Sequence, residues 1–232
     1  VAQGGGPGGG QGGGPPGGPS DRERLPSGRH SLPRDYVAQH QIARILSAVM
    51  EVAGKVGYAQ LTVDTIIARA GVSRATFYVH FKNKEDAFLR AYDVMVERLM
   101  EHVTTAYQEE GEVLGRLRAG LSAFLDFLAA EPLAARTFIV ECLAAGPVAA
   151  ARRDRAKQAF AQLVEVNMRE TFPHYPEPGL LAETMVGGIY EVAYTRIRRG
   201  ETAELPHLLN GLLAAFAVPD PDRWGPDATP PA

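Results

Sequence analysis

An all-α fold is predicted by three observations. Apolar residues recur at helical spacing along most of the chain, strand signals are scarce, and the helical stretches are joined by short connections. No hairpin dipeptide lies between alternating apolar runs. Of 232 residues, 45% are hydrophobic, enough for a core. The ends differ from the middle. Residues 1–20 hold 11 Gly and 4 Pro, and residues 218–232 hold five Pro. Residues 1–35 therefore read as a disordered Gly/Pro-rich tail and 219–232 as a Pro-rich tail. No apolar run of about 18 residues is present, so no transmembrane helix and no membrane partner are expected. The N-terminus has no charged stretch leading into an apolar one, so no secretory signal is expected. The single cysteine, Cys142, excludes an internal disulfide framework and a multi-thiolate zinc site. These features predict a soluble, cytoplasmic protein.

The first helix is read from Ile42, Ile45, Leu46, Val49, Val52, Ala53 and Val56, which form one stripe. Gly57 ends it by supplying a positive φ. Two short helices follow. Thr62 is a good N-cap, Asp64 suits the positive end of the helix dipole, and Leu61 can clasp Ile66 as a hydrophobic staple. Gly71 stops this helix. Ser73 caps the next, Arg74 to Phe81, with Val72 and Phe77 repeating the staple. Asn83 caps a third start, with Glu85 and Asp86 in its first turn. Further helices are expected over 83–107, 112–130, 132–145, 147–171, 178–199 and 205–217. Gly111, Pro132, Gly146-Pro147, Pro173 to Pro178, and Gly200 separate them.

Two short capped helices joined by Ala70-Gly71-Val72-Ser73 make a helix-turn-helix over residues 62–81. On the second helix Phe77 and Phe81 share one face and are assigned to the core. The opposite arc holds Ala75, Thr76, Tyr78 and Val79, with Arg74 at its start. Such a face suits a major groove. Small apolar side chains meet thymine methyls, Arg grips guanine O6 and N7 with two hydrogen bonds, and Tyr and Lys reach phosphates. Charge supports this. Residues 22–84 carry ten Lys/Arg against four acids, net +6, whereas residues 85–232 carry 14 against 22, net −8.

The segment from Leu61 to Glu85, and above all its Thr-Phe-Tyr-x-His-Phe-x-Asn-Lys-Glu core, resembles the TetR family of transcriptional regulators. The stretch from Ile45 to Tyr58 fits that family's first helix, and the similarity covers about residues 37–97. The resemblance implies a helix-turn-helix DNA-binding domain over 36–97 and a ligand-binding, dimerising domain over 98–218. It implies a repressor that binds palindromic double-stranded operator DNA as a homodimer and is released by a small-molecule effector. Carried across, Arg74 falls where the family reads a base, and Ala75 and Val79 fall on the groove side. Thr62, Thr76, Tyr78, His80 and Lys84 fall where it touches phosphate or positions the helix. Ser73 and Arg44 complete the DNA-side candidates. Packing beneath Phe81 is an equal reading for His80. The Gly-rich and basic segment before residue 36 departs from many members, and a DNA arm of Arg22, Arg24, Arg29 and Arg34 stays open.

The C-terminal half offers no catalytic constellation, metal spacing or cofactor motif; His102, His174 and His207 are isolated. An enzyme is not expected, nor a metal or cofactor. Phe124, Phe127, Phe138, Phe160, Met168, Met185, Tyr190 and Tyr194 are plain core or, as the resemblance favours, a ligand pocket. Cys142 reads as buried packing, and the basic run Arg152 to Lys157 as a solvated helix face. Gly187 and Gly188 inside a helix, with Val192, suit close approach of a second helix, with local kinking or ligand clearance as the competing explanation. Leu208, Leu209, Leu212, Leu213 and Phe216 form an apolar stripe. The resemblance places both helices in a dimer interface. The rival readings are a helical small-molecule-binding protein or an enzyme, with a helix-turn-helix that serves packing only.

Overall fold

Residues 34–216 are described by the computed structural model, and among them α-helices and short 3-10 segments follow one another without a strand. The tails expected over 1–35 and 219–232 lie outside the described residues, except Arg34 and Asp35, which open the first helix; Arg22, Arg24 and Arg29 also lie outside. The helices are α1 (Arg34–Val56), α2 (Val63–Ala70), α3 (Arg74–His80), α4 (Lys84–Glu109), α5 (Val113–Ala130), α6 (Pro132–Ile139), α7 (Pro147–Thr171), α8 (Pro178–Arg198) and α9 (Leu209–Ala215). The stripe read on the first helix packs inward, with Ile45, Val49 and Ala53 fully buried against α2, α3, α4 and α6.

The boundary expected at residues 97/98 falls inside α4, which runs unbroken from beside the helix-turn-helix into the C-terminal half. One apolar core accordingly passes through both halves, from Phe77 and Phe88 to Leu125 and Ile139. Two expected helices are split. The stretch 132–145 leaves α-helical geometry at Val140 and continues as a 3-10 segment, Glu141–Ala145. Thr137, Ile139 and Val140 are β-branched and weaken the helix there. The stretch 205–217 begins as a 3-10 segment, Thr202–Leu208, because Pro206 has no N–H to give to an α-helical ladder.

The halves meet along α1 and α6. Gly54 lies so close to the α6 backbone that a Cβ there would stand 2.2 Å from the Leu133 carbonyl oxygen. The buried Thr137 hydroxyl donates to the Met50 carbonyl at 2.8 Å. Beyond α6, Glu141 accepts from the Tyr58 N–H at 2.9 Å and pairs with Arg136 at 3.4 Å. The segment after α1 is thus tied to the segment after α6.

Candidate nucleic-acid interface

The turn between α2 and α3 is built as its residues dictate. Thr62 Oγ1 accepts from the Thr65 N–H at 3.1 Å, and Thr65 Oγ1 accepts from the Thr62 N–H at 3.1 Å, a reciprocal capping box. Gly71 takes φ 63° and ψ 39°, the left-handed conformation that closes α2. Arg44 donates to the Gly71 carbonyl at 3.0 Å, so α1 holds the turn from behind. Ser73 Oγ accepts from the Thr76 N–H at 3.0 Å and starts α3. Phe77 and Phe81 are buried, with ring centroids 5.7 Å apart.

This anchoring leaves one face of α3 to solvent. Arg74, Ala75, Tyr78 and Val79 are exposed, Val79 to 77%. The exposed Val79 contributes nothing to the core and Tyr78 only an edge contact on Phe77, with ring centroids 5.4 Å apart, whereas a groove floor would cover both. Arg74 pairs with Asp64 at the start of α2. Both are well exposed, so the pair is weak and the guanidinium is available to a stronger partner.

Other candidates are engaged within the chain. His80 Nε2 lies 2.9 Å from Gln41 Oε1, and its ring packs edgewise on Phe81. Lys84 donates to the Leu61 carbonyl at 2.9 Å, and its ammonium lies 4.8 Å from the centre of the Tyr58 ring, fixing the entry to α2 upon α4. Thr62, Ser73, Thr76 and Arg44 are occupied by the caps and turn described above. Lys82 is a residue the sequence did not single out. It is exposed just beyond α3 and has no ion-pair partner among the described residues.

The C-terminal half holds a cavity of about 100 Å³ between α4, α5, α7 and α8. Phe124, Phe138, Phe160, Met185 and Tyr190 line it. Phe127 instead packs against His102 and Arg98, Met168 is buried elsewhere, and Tyr194 lies under the Arg198 guanidinium. Tyr92 stacks on Phe138 with centroids 4.9 Å apart. Tyr190 donates to the Ile139 carbonyl at 2.8 Å, and burial raises its phenol above the ordinary value. Beside it the buried Cys142 thiol is pushed up to about 11, chiefly by desolvation, and stays protonated at neutral pH.

The basic run of α7 departs from the solvated face expected of it. Arg155 is exposed, but Arg152 reaches α4, donating to the Leu89 carbonyl at 2.8 Å and pairing with Asp93. Arg153 and Lys157 line the cavity. Their spacing of four placed both on one face, but nothing in the sequence showed which face turns inward.

The proposed partner helices pack partly on their own chain, and of the residues assigned to the interface all but Leu212 stay half-exposed. Leu212 is buried, Leu213 lines the cavity, and Val192, Leu208 and Leu209 pack on the core. The Phe216 ring lies against Gly188, where a Cβ would stand 2.8 Å from it. Gly187 is different: the space a Cβ would enter is open.

Fold and site together define an all-α protein that presents a helix-turn-helix from a larger helical body with an internal cavity. Residues 45–91 match the profile of bacterial regulatory proteins of the tetR family. It is 34% identical over 110 residues to the HTH-type transcriptional activator FasR of Mycolicibacterium smegmatis, covering 46% of this chain and 48% of that protein. It is 30% identical over 88 residues to the fatty acid metabolism regulator protein of Bacillus subtilis, covering 38% of this chain and 45% of that one. The chain thus spans about half the length of the curated relatives it matches. The fold is shared more widely. The crystal structure of FadR from Bacillus subtilis in complex with stearoyl-CoA superposes with a TM-score of 0.68 at 21% identity, covering 75% of this chain and 96% of that one.

Proposed function

We propose that this chain is a DNA-binding transcriptional regulator that holds a palindromic operator as a homodimer and is released from it by an amphipathic small molecule in the cavity. The observation that carries the reading is the solvent-facing patch of Arg74, Ala75, Tyr78 and Val79 on a recognition helix fixed from behind by Arg44, Phe77 and Phe81. One such helix reads too few base pairs to be selective alone, so two related by a two-fold axis are needed. Selection of binding duplexes from a random pool tests this. A near-palindrome is expected, and an asymmetric site bound by a monomer would refute it.

For the effector, the apolar cavity and the stearoyl-CoA bound by the Bacillus FadR support an acyl chain. We read the chain as a cytoplasmic regulator rather than an enzyme, because the relatives are regulators and the cavity lining pairs cations with apolar side chains. The chain acts as a repressor in this proposal. Activation is favoured by the name of the Mycolicibacterium relative, and operator position relative to a promoter separates the two.

A further inference from the structure

Among the described residues three cations line the cavity, Arg116, Arg153 and Lys157, and no carboxylate does. Two of them are already occupied. Arg116 pairs with Glu170 at 3.4 Å and lies over the Tyr107 ring. Arg153 donates twice to one Asp154 oxygen, at 2.9 and 2.7 Å. Lys157 has no ion-pair partner among the described residues. Its ammonium stands 5.1 Å from the centre of the Tyr190 ring, and Tyr190 is itself fixed by its bond to Ile139. A half-buried ammonium held only by an aromatic face gains when an anion arrives.

The position of Lys157 adds to this. A second depression, between α7 and α8 on the outer surface, shares Lys157 and Val186 with the cavity. These two residues therefore stand where the apolar interior meets the outside. The outer depression carries Asp154 and Glu183 as well as Arg155, so its charge is mixed. The selective positive charge is the one at the boundary.

We infer that Lys157 is the head-group anchor of the effector site: the ligand enters between α7 and α8, its acyl chain enters the apolar cavity and widens it beyond its resting volume of about 100 Å³, and its anionic head stops at the Lys157 ammonium. This rests on the acyl reading of the cavity and adds the residue that distinguishes an acidic lipid from a neutral one. The shared chemistry is an acyl chain with an anionic head, supplied either by a free carboxylate or by the phosphates of a coenzyme A ester.

The test is displacement of N-phenyl-1-naphthylamine from the full chain by dodecanoate, dodecanoyl-CoA and dodecanol. The wild type should bind at least one of the two anions about tenfold more tightly than dodecanol. Lys157→Met should lose about tenfold for that anion, the scale of one charge-assisted hydrogen bond, and bind dodecanol as before. Lys157→Arg should keep the preference. Whichever anion responds identifies the source of the charge. Equal weakening of all three ligands in Lys157→Met, or no change in the ratio, overturns the anchor while leaving the acyl cavity standing. Failure of all three to bind the wild type overturns the acyl reading and the anchor with it.

Discussion

In the proposed function Arg74 is the side chain that reads a base, and its ion pair with Asp64 occupies it before DNA arrives. A bidentate contact to guanine outweighs an exposed ion pair, so the guanidinium transfers to the base. Arg74→Ala should weaken specific binding by ~1–3 kcal/mol and relax preference at one base pair of each half-site. Asp64→Asn should tighten binding to all duplexes by a few-fold, because it removes a negative charge from the DNA face and frees the same cation. Titrations of both variants against the selected duplex and a scrambled one separate the two effects. The caps around Arg74 were legible because Thr62, Gly71 and Ser73 act within a few residues of themselves. The pairs Arg74–Asp64 and His80–Gln41 span 10 and 39 residues, and no local pattern announces them.

A second ion pair belongs to stability. Glu51 on α1 is hydrogen-bonded to Arg69 on α2 and to Lys55, which together hold its carboxyl below the ordinary 4.5 despite partial burial. A depressed folded value means the stabilisation is fully present above the unfolded value and is lost as pH falls through the folded one. Glu51→Gln should therefore lower stability by up to about 1 kcal/mol near neutrality, and the gap to wild type should close under acid. Denaturant unfolding at several pH values reads it directly.

Between elements, the decisive feature is the seam of α1 with α6. Helical periodicity disclosed both helices, since each buries a stripe, but could not disclose that they touch. Gly54 lies inside α1, and the reason for a glycine there is the Leu133 backbone across the seam. Gly54→Ala would drive a methyl group into that carbonyl, so the helices must separate. A loss of several kcal/mol is expected, beyond the ordinary ~1–3 kcal/mol for overpacking, because backbone and not a flexible side chain is in the way. The same seam joins cavity to DNA face. Tyr190 bonds to Ile139, Glu141 two residues on holds the Tyr58 N–H, and Lys84 rests on the Tyr58 ring and on Leu61 before α2. Glu141→Gln preserves size but weakens the acceptor. It should bind ligand as tightly as wild type while transmitting less of the effect to DNA, as paired ligand and operator titrations would show.

At the scale of the molecule, the all-α class was legible throughout, because composition, caps and period agree. The splits at Val140 and Pro206 and the destination of the last helix were not, since a wide apolar stripe looks the same whether its own chain or a partner covers it. Leu212 is covered by its own chain, so Leu212→Glu should lower thermal stability and says nothing about a dimer. Gly187 faces open space on α8, so Gly187→Glu should leave stability within about 1 kcal/mol, the cost or gain of one exposed helix position. If α8 forms the two-fold contact, the same variant should sediment as a monomer and lose tight operator binding; a dimeric Gly187→Glu protein would move the interface elsewhere.

The claim that joins both halves is that occupancy of the cavity changes the grip on DNA. A ligand with equal affinity for the bound and free forms shifts nothing, so binding alone is no evidence of control. The direct measurement is the Kd of the protein for its selected duplex, at fixed salt, with and without saturating dodecanoyl-CoA. Kd should rise by about tenfold or more, a coupling of about 1.4 kcal/mol. An unchanged or tightened Kd with the cavity occupied would contradict it.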